Sequence, residues 1–289
     1  MTDFLEQVHA EREAYVREAS SRVSEDALVS NMPDNLWSRA RAGGTLDELR
    51  IDGATDAFTS ALLRARREGR MAVIAEVKRV SPAGGPLGVD ADVTRLARAY
   101  VAAGATAISV VTEPLHWGGS LRDLGAVREA VSVPILYKDI VVNEYQVLEA
   151  RAAGADAALL IAEALSDAEL AGIAARAARL DVGVLIEAHE PDAFQRAVDV
   201  AARAGVRVVG VNARNLRDPR QIDLDRVNAL HARARADQIL VAESGITSVA
   251  DAQRLPERVD AVLVGTALMR ASDPGRLIAD LAAIRRLRP

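Results

Sequence analysis

Residues 72–82 read AVIAEVKRVSP and decide the fold class of this 289-residue chain. The first six form an apolar run rich in β-branched residues, which is typical of a buried strand. The next segment, Lys78 to Pro82, is not the glycine-rich turn that follows the first strand of a dinucleotide-binding unit, and the later glycines lack that motif's spacing. This stretch therefore disfavours an open, doubly wound sheet.

Seven similar runs follow, alternating with helical stretches rich in Ala, Arg and Glu. The eight runs start about 22 to 35 residues apart, which is the size of one strand, one helix and two loops. The predicted strands are Ala72–Val77, Ala107–Val111, Ile135–Tyr137, Ala157–Ile161, Gly183–Ile186, Val206–Val211, Ile239–Val241 and Ala261–Val264. Eight such units predict an α/β fold, a closed (β/α)8 TIM barrel.

The first 70 residues differ in texture from the barrel. Phe4, Val8 and Tyr15 recur at helical spacing among charged residues, residues 56–67 form another amphipathic stretch, and no strand is evident. We therefore predict an N-terminal helical extension, residues 1–70, that packs on a barrel of residues 71–289. Three short fragments, at residues 103–105, 153–155 and 204–206, place a glycine between a helix and the next strand, where a left-handed conformation is expected.

Composition and charge exclude several classes of function. A net charge of −5 disfavours a general nucleic-acid binder, which needs a basic face, and the absence of cysteine excludes disulfides, thiolate chemistry and iron–sulfur clusters. The four histidines are scattered along the chain, which disfavours a metal centre, and we predict neither metal nor cofactor. The N-terminus lacks the pattern of a secretory signal and no apolar run approaches about 20 residues, so we expect a cytoplasmic protein without a membrane partner.

The basic residues single out two positions. Of 36 lysines and arginines only two are lysines, Lys78 and Lys138, and both directly follow a predicted strand. Catalytic groups of barrel enzymes lie at the carboxyl ends of the strands. Arginine stays charged, whereas a lysine near other cations or in a dry pocket can lose its proton near neutral pH. The alternative is that each lysine only forms an ion pair or extends to solvent, but their placement favours a role in proton transfer.

Carboxylates occupy equivalent positions on other strands. Glu76 lies two residues before Lys78, so both side chains point the same way from the strand, and Glu187 follows the fifth strand. Two acids and two amines facing one cavity should displace each other's pKa values and support general acid–base chemistry. Taken alone, Glu187 would fit an ion-pair partner equally well.

The remaining strand ends predict binding groups. Asn212 and Arg214 follow the sixth strand and offer an amide and a fixed cation. Glycines after the last two strands, with neighbouring hydroxyls, are typical of the barrel phosphate site. These residues are Glu243, Ser244 and Gly245 after the seventh strand, and Gly265 and Thr266 after the eighth. Trp117 lies in a polar, glycine-rich loop, where it could stack on a planar substrate group or simply anchor the loop.

The chain resembles the indole-3-glycerol phosphate synthase family over nearly its whole length. The resemblance lies in an ordered set of motifs. They are IAEVKRVSP at residues 74–82, TE at 112–113 with GGSL at 118–121, LYKD at 136–139, EYQ at 144–146 with GADA at 154–157, LIEAH at 185–189, GVNARNL at 210–216 and ESGI at 243–246.

The resemblance implies conversion of 1-(2-carboxyphenylamino)-1-deoxyribulose 5-phosphate to indole-3-glycerol phosphate, with loss of carbon dioxide and water and without a cofactor. It assigns Lys138 as the acid that protonates the developing alkoxide. Glu187 would remove a proton during dehydration, with Glu76 as the alternative base. Lys78 would bind the substrate carboxylate and could share the acid role; which lysine is the principal acid is left open.

The same resemblance implies the binding groups. Asn212 would contact the substrate hydroxyls, Arg214 would reinforce the rim of the site, and Glu243 and Ser244 would line it, Ser244 being counted with the catalytic set. The phosphate would be held by Ser81, Gly245, Gly265 and Thr266. The expected partner is one small anthranilate-derived sugar phosphate, bound by a monomer or weak homodimer.

Several positions depart from the family's pattern. Ile140 replaces a usual phenylalanine near the anthranilate ring, Asn143 replaces a usual acid, and residues 83–85 read AGG in place of a serine–lysine–glycine segment. Trp117 could compensate for Ile140 by stacking. These changes leave open a paralogue that acts on a modified anthranilate. Two other hypotheses are a Schiff-base sugar-phosphate lyase that uses a lysine amine, and a non-catalytic barrel scaffold.

Overall fold

The structure is a computed structural model and describes residues 3–30, 32, 56–81 and 84–286. The strands are β1 Ala72–Val77, β2 Val80–Ser81, β3 Gly85–Pro86, β4 Ala107–Val111, β5 Ile135–Lys138, β6 Ala157–Ile161, β7 Gly183–Ala188, β8 Val208–Asn212, β9 Ile239–Glu243 and β10 Ala261–Val264. The helices are α1 Phe4–Arg22, α2 Glu25–Ser30, α3 Ala57–Arg67, α4 Val93–Ala102, α5 Leu121–Ala130, α6 Glu144–Ala152, α7 Asp167–Arg179, α8 Pro191–Ala204, α9 Asp225–Leu230, α10 Val249–Gln253, α11 Thr266–Arg270 and α12 Pro274–Ala282, with a short 3-10 helix at His231–Arg233.

Eight parallel strands close into a barrel in the order β1-β10-β9-β8-β7-β6-β5-β4. Helices pack around the outside, so the predicted (β/α)8 TIM barrel is confirmed. The first and last strands of the barrel pair directly, with Ala72 opposite Ala261 and Ala75 opposite Val264. Because the ring is closed, all eight carboxyl ends meet at one rim.

Four predicted strands have the observed bounds, and four predictions were wrong at an end. β5, β7, β8 and β9 each continue one or two residues further, to Lys138, Ala188, Asn212 and Glu243. The apolar pattern stops there because each added segment contains a polar residue, but the parallel pairing continues through it, for example between Asn212 and Glu243.

Two further differences have local causes. The predicted strand at Val206 begins at Val208, because the N–H of Val206 donates to Ala201 and caps the preceding helix. The turn expected after β1 contains β2, which pairs with β3 in a small antiparallel hairpin. The glycines expected at helix ends are left-handed as predicted, with φ of 100° at Gly104, 99° at Gly154 and 74° at Gly205.

The apolar core has two layers. Alternate residues of the strands point outward and pack under the helices, for example Val73, Ile108 and Tyr137. The other residues fill the barrel interior, for example Ile74 and Leu185. The interior layer ends at the rim, where polar side chains replace the apolar ones.

The N-terminal helices contact the barrel directly. Leu5 and Val8 of α1 are buried in the same cluster as the barrel interior, and Tyr15 donates a 2.6 Å hydrogen bond to Glu149. The helix predicted over residues 56–67 is α3, which Asp56 caps by accepting the N–H of Thr59. Residues 33–55 of the predicted extension lie outside the described residues. Within the described part of the chain, no helix is long and apolar enough to span a membrane.

Candidate active site

A cavity of about 560 Å³ opens at the carboxyl ends of the strands. All but one of the predicted site residues line it: Glu76, Lys78, Trp117, Lys138, Ile140, Glu187, Asn212, Arg214, Glu243, Ser244, Gly245, Gly265 and Thr266. The exception is Ser81, which is buried in β2 and is not part of the lining.

The two-residue period of a strand brings the charged groups into this cavity. Four strands each place an apolar side chain in the barrel interior two positions before a polar residue. These apolar residues are Ile74, Leu136, Leu185 and Val241. Those polar residues are Glu76, Lys138, Glu187 and Glu243. Successive side chains alternate between faces, so a residue two positions after an inward apolar side chain also points inward. These four charged side chains therefore lie directly above the apolar interior, at the ends of rigid strands.

Lys138 lies between two carboxylates. Its Nζ is 3.6 Å from Glu187 Oε2 and 3.7 Å from Glu243 Oε2. Burial alone would lower the pKa of Lys138, but Glu187, Glu243 and Glu76 outweigh it and raise that pKa above its ordinary value. The expectation that a dry pocket would favour loss of the proton is therefore wrong for Lys138 in the structure without ligand, because Glu187, Glu243 and Glu76 face it.

Lys78 has a closer partner. Its Nζ donates a 2.5 Å hydrogen bond to Glu76 Oε1. Glu76 is almost fully buried, which would raise its pKa, but Lys78, Lys138 and Arg214 lower that pKa overall. Glu76 is therefore a carboxylate that stays ionised, and it holds the ammonium of Lys78 at the rim.

Asn212 connects two functional groups. Its side-chain Nδ2 donates a 3.3 Å hydrogen bond to Glu187 Oε2, and its Oδ1 accepts the backbone N–H of Arg214 at 3.0 Å. The Arg214 guanidinium donates to the carbonyl of Pro219 in the same loop. Burial lowers the pKa of Arg214, although Glu76 opposes this effect. Asn212 thus orients Glu187 and fixes the start of the loop that carries Arg214.

Glu243 is a different kind of acid from Glu76. It is 1% exposed, and neither carboxyl oxygen has a hydrogen-bond partner among the described residues. Burial and the nearby Glu187 raise the pKa of Glu243 well above its ordinary value, more than Lys138 lowers it. Glu243 therefore holds a proton more readily than an exposed glutamate, and its side chain occupies the space that Gly210 leaves open.

The backbone after β9 adopts an unusual conformation. Ser244 has a φ of 64° and Gly245 a φ of 76°, so two consecutive residues are left-handed. Glycine adopts this conformation freely, but for serine it costs on the order of 1 kcal/mol. Such strain is typical of functional sites, and here it turns the chain sharply at the cavity rim.

Aromatic residues form one wall of the cavity. The ring centroid of Phe4, on α1, lies 5.2 Å from that of His116 and 5.7 Å from that of Trp117. Glu113 organises this loop, because its carboxylate accepts the backbone N–H groups of Leu115, His116 and Trp117. Phe4 and Trp117 line the cavity, and His116 packs against both rings from behind the lining; we call these three rings the aromatic wall.

Two contacts hold α1 against the barrel, one with the aromatic wall and one with the residue after β5. His116 Nε2 lies 2.6 Å from Glu11 Oε2, and the Arg12 guanidinium forms an ion pair with Asp139 at 2.8 Å. Asp139 directly follows Lys138 in the chain, so α1 supports both the wall and the strand end that carries this lysine. The predicted stacking of Trp117 on a substrate ring stays a prediction.

Sequence reasoning missed several cavity residues. Phe4, Leu5 and Val8 line the cavity from α1, and Arg270 lines it from α11. Helical spacing marked Phe4 and Val8, but not Leu5, as part of an apolar face, and it could not say what that face packs against. Arg270 lies four residues after Thr266, which is about one helical turn. This spacing from a predicted phosphate ligand is the signal that could have found it.

Taken together, the cavity holds an ammonium between carboxyl groups, an ionised carboxylate at Glu76, an acid of raised pKa at Glu243 and an apolar wall. Such a set can donate and accept protons on a substrate that carries both a flat apolar ring and polar or anionic groups.

Comparison with known proteins agrees with this chemistry. The family model described as indole-3-glycerol phosphate synthase matches residues 38–281. A protein of Streptomyces coelicolor named indole-3-glycerol phosphate synthase 2 is 48% identical over 220 residues, covering 75% of this chain and 83% of its own. An indole-3-glycerol phosphate synthase of Streptomyces griseus is 41% identical over 259 residues, covering 89% of this chain and 94% of its own.

Solved structures agree on the fold. A 3-hexulose-6-phosphate synthase superposes with a TM-score of 0.59 at 19% identity, covering 74% of this chain and 99% of that one. The tryptophan synthase alpha subunit of Legionella pneumophila gives a TM-score of 0.56 at 14% identity, covering 79% of this chain and 98% of that one. At such identities the likeness concerns the barrel fold alone. The matching family model and the two relatives establish that the chain belongs to the indole-3-glycerol phosphate synthase family.

Proposed function

We propose that the chain is an indole-3-glycerol phosphate synthase, a lyase that converts 1-(2-carboxyphenylamino)-1-deoxyribulose 5-phosphate to indole-3-glycerol phosphate in tryptophan biosynthesis. The observation that carries this proposal is the position of Lys138 between Glu187 and Glu243 inside a cavity with an aromatic wall. Ring closure needs an acid that protonates the alkoxide, and dehydration needs a base that removes a proton. We propose that these groups supply both.

Lys138 is the proposed general acid. During ring closure an aromatic carbon attacks the ketone carbon of the sugar, and the carbonyl oxygen becomes an alkoxide that must be protonated. The ammonium of Lys138 is held charged by its carboxylates, so it is present in the donor form at neutral pH. Its proton is tightly held in the free enzyme, and the growing negative charge of an alkoxide provides the driving force for transfer.

Glu187 is the proposed base for dehydration. The amide of Asn212 donates to one of its oxygens and thereby orients the carboxylate. Glu76 is the alternative base, but its 2.5 Å hydrogen bond from Lys78 better suits a role in holding that ammonium. Lys78 would then bind the substrate carboxylate until carbon dioxide leaves.

The two ends of the substrate would contact different parts of the cavity. The aromatic wall and Ile140 would receive the anthranilate ring, Asn212 would contact the sugar hydroxyls, and Arg214 would reinforce the rim of the site. The residues proposed to surround the phosphate are Gly245, Gly265 and Thr266, with Ser244 at the same rim and Ser81 nearby on β2. Glu243, which has no hydrogen-bond partner among the described residues, is available to a substrate hydroxyl.

The test is direct. Purified protein is incubated with the unsubstituted carboxyphenylamino sugar phosphate, and indole formation is followed by fluorescence. We expect turnover in the absence of added cofactor or metal. A folded protein that forms no product would contradict the proposal.

A specific observation keeps one alternative open. Ile140 is 8% exposed and leaves an aliphatic side chain where the family usually has an aromatic ring, so the pocket would admit a ring that carries an extra substituent. A higher kcat/KM for ring-substituted substrates than for the unsubstituted one would favour this alternative.

The Schiff-base hypothesis is disfavoured by the ion pairs. An imine forms from a neutral amine, whereas the carboxylates raise the pKa of Lys138 and Lys78 is bonded to Glu76. Borohydride treatment in the presence of substrate should leave no covalent mass adduct. The scaffold hypothesis would require that Lys138→Met leave function unchanged.

We also propose that one copy of the chain is sufficient for activity, as a monomer or weak homodimer in the cytoplasm, with residues 1–70 and 71–289 in a single structural domain. In support, one chain supplies both the charged groups of the cavity and, through α1, its aromatic wall. Activity that is proportional to protein concentration across the range in which size-exclusion chromatography detects association would support this proposal, and cooperative loss on dilution would contradict it.

A further inference from the structure

We propose that Arg270, on α11, is a phosphate-binding residue of the cavity. This inference deepens the proposed function and rests on it, because the substrate named there carries a phosphate ester. Neither the motifs quoted above nor the strand-end positions include Arg270. The argument combines its position, its available hydrogen-bond donors and the charges of the other cations.

The position of Arg270 places it beside the predicted phosphate ligands. It lines the same cavity as Gly245, Gly265 and Thr266. Thr266 is the first residue of α11 and Arg270 the last, so the two are four residues apart on one helix. Side chains at that spacing are neighbours on the helix surface. A phosphate near the Thr266 hydroxyl is therefore within reach of the long Arg270 side chain.

The charges of the cavity leave Arg270 available for an anion. The two lysines already face carboxylates, Lys78 at 2.5 Å and Lys138 at 3.6 Å. Arg270 forms no ion pair with any residue that the structure describes, and its one hydrogen bond to that part of the chain is donated by Nη2 to the carbonyl of Gly84, at 3.2 Å. A guanidinium has five N–H donors and binds phosphate oxygens in a bidentate manner, so most of its donors remain for a ligand.

Gly84 keeps the guanidinium in this place. A Cβ on Gly84 would lie 2.8 Å from Arg270 Nη2, closer than such contacts normally approach. Glycine at this position therefore allows the guanidinium to lie against the backbone after β2, at the edge of the cavity. The same contact provides a mild variant, because Gly84→Ala should push the flexible end of Arg270 aside without disturbing the barrel.

The first experiment measures binding of inorganic phosphate by isothermal titration calorimetry at constant ionic strength. We compare the wild type with Arg270→Gln, Arg270→Lys and Gly84→Ala. The matched control is Arg98→Gln, which removes the same charge from an exposed position on α4 outside the cavity. Circular dichroism checks that every variant is folded.

We expect Arg270→Gln to raise the Kd for phosphate about tenfold or more, because a charge-assisted hydrogen bond contributes at least that factor. Arg270→Lys keeps the positive charge but cannot bind phosphate in a bidentate manner, and it should give a smaller increase in Kd. Gly84→Ala should also give a smaller increase. Arg98→Gln should leave the Kd unchanged. An Arg270→Gln variant that binds phosphate as tightly as the wild type, or a wild type that binds none, would overturn the proposal.

A kinetic measurement separates this proposal from the proposed reaction. In Arg270→Gln the KM for the sugar phosphate should rise about tenfold while kcat stays within about threefold, since the lost contact is far from the reacting atoms. If phosphate binding depends on Arg270 but no indole forms, the phosphate site stands and the proposed reaction fails. If indole forms with an unchanged KM and an unchanged phosphate Kd, the reaction stands and the role of Arg270 fails.

Discussion

The carboxylate of Glu76 occupies the space that Gly265 leaves empty. Glu76 lies on β1 and Gly265 directly follows β10. A Cβ on Gly265 would lie 2.3 Å from Glu76 Oε1. Sequence reasoning predicted Gly265 as a position where backbone approaches phosphate. The structure adds a second reason for glycine here, because any side chain would displace the carboxylate that holds Lys78.

Gly265→Ala should therefore damage catalysis by displacing Glu76, in addition to any effect on the phosphate that Gly265 is proposed to surround. The added methyl group must move Glu76, and with it Lys78, by about 1 Å, which can cost on the order of a hundredfold in kcat/KM. Steady-state kinetics with the indole assay measures this loss. Gly125→Ala is the control, because its Cβ would meet nothing closer than 3.8 Å, and it should leave activity unchanged. Equal activity of the two variants would contradict the proposed coupling between Gly265 and Glu76.

Replacing Lys138 tests the proposed general acid. Lys138→Met should lower kcat by about a hundredfold or more, since a positioned proton donor typically contributes that factor. Lys138→Arg is the informative companion, because it keeps a positive charge near Glu187 and Glu243 but cannot release a proton at neutral pH. We expect both variants to be inactive and folded. Substantial activity of Lys138→Arg would show that charge, and not proton donation, is what the position supplies.

The two acids beside Lys138 should respond differently to the same substitution. The pKa of Glu243 is raised well above its ordinary value by burial and by Glu187, so Glu243→Gln, which resembles the protonated carboxyl group, should keep kcat within about tenfold of the wild type. Glu187→Gln removes the proposed base and should lower kcat by about a hundredfold or more. Measuring kcat and KM for both variants at pH 7 decides between them. The reverse order of damage would contradict the assignment of Glu187 as the base.

Asp139 should make stability depend on pH. Burial raises the pKa of Asp139 to about 6, although Arg12 opposes this shift. The folded state then binds more protons than the unfolded state between about pH 4 and pH 6, so the free energy of unfolding falls as pH rises through this window. Below the unfolded pKa this stabilisation is fully present, and above the folded pKa it is lost.

The comparison with Asp139→Asn isolates this effect. Relative to that variant, the wild type should lose on the order of 2 kcal/mol of unfolding free energy between pH 4 and pH 7. Urea unfolding at several pH values measures the difference. Parallel pH profiles for the two proteins would refute the raised pKa. The variant is expected to be less stable overall, since Arg12 loses its partner, but only the slope with pH carries the test.

The sequence alone determined the architecture and the position of the chemistry. Eight apolar runs at regular spacing predicted the barrel. A buried parallel strand needs an uninterrupted apolar segment, and such a segment can be recognised from consecutive residues alone. The lysines at positions 78 and 138 marked the site because barrel strands end at one rim. Strand ends such as Glu243 were missed since their polarity hides the continued pairing.

Tertiary structure alone decided which groups interact. Lys78 pairs with its own strand neighbour Glu76, while Lys138 lies between carboxyl groups of β7 and β9, strands that follow it by about 50 and 105 residues in the chain. Only closure of the barrel sets these distances. The distances and burial together lower the pKa of Glu76 and raise that of Glu243. The same holds for Phe4 and Arg270, which reach the cavity because of how helices pack on the barrel, a relation that no local pattern encodes.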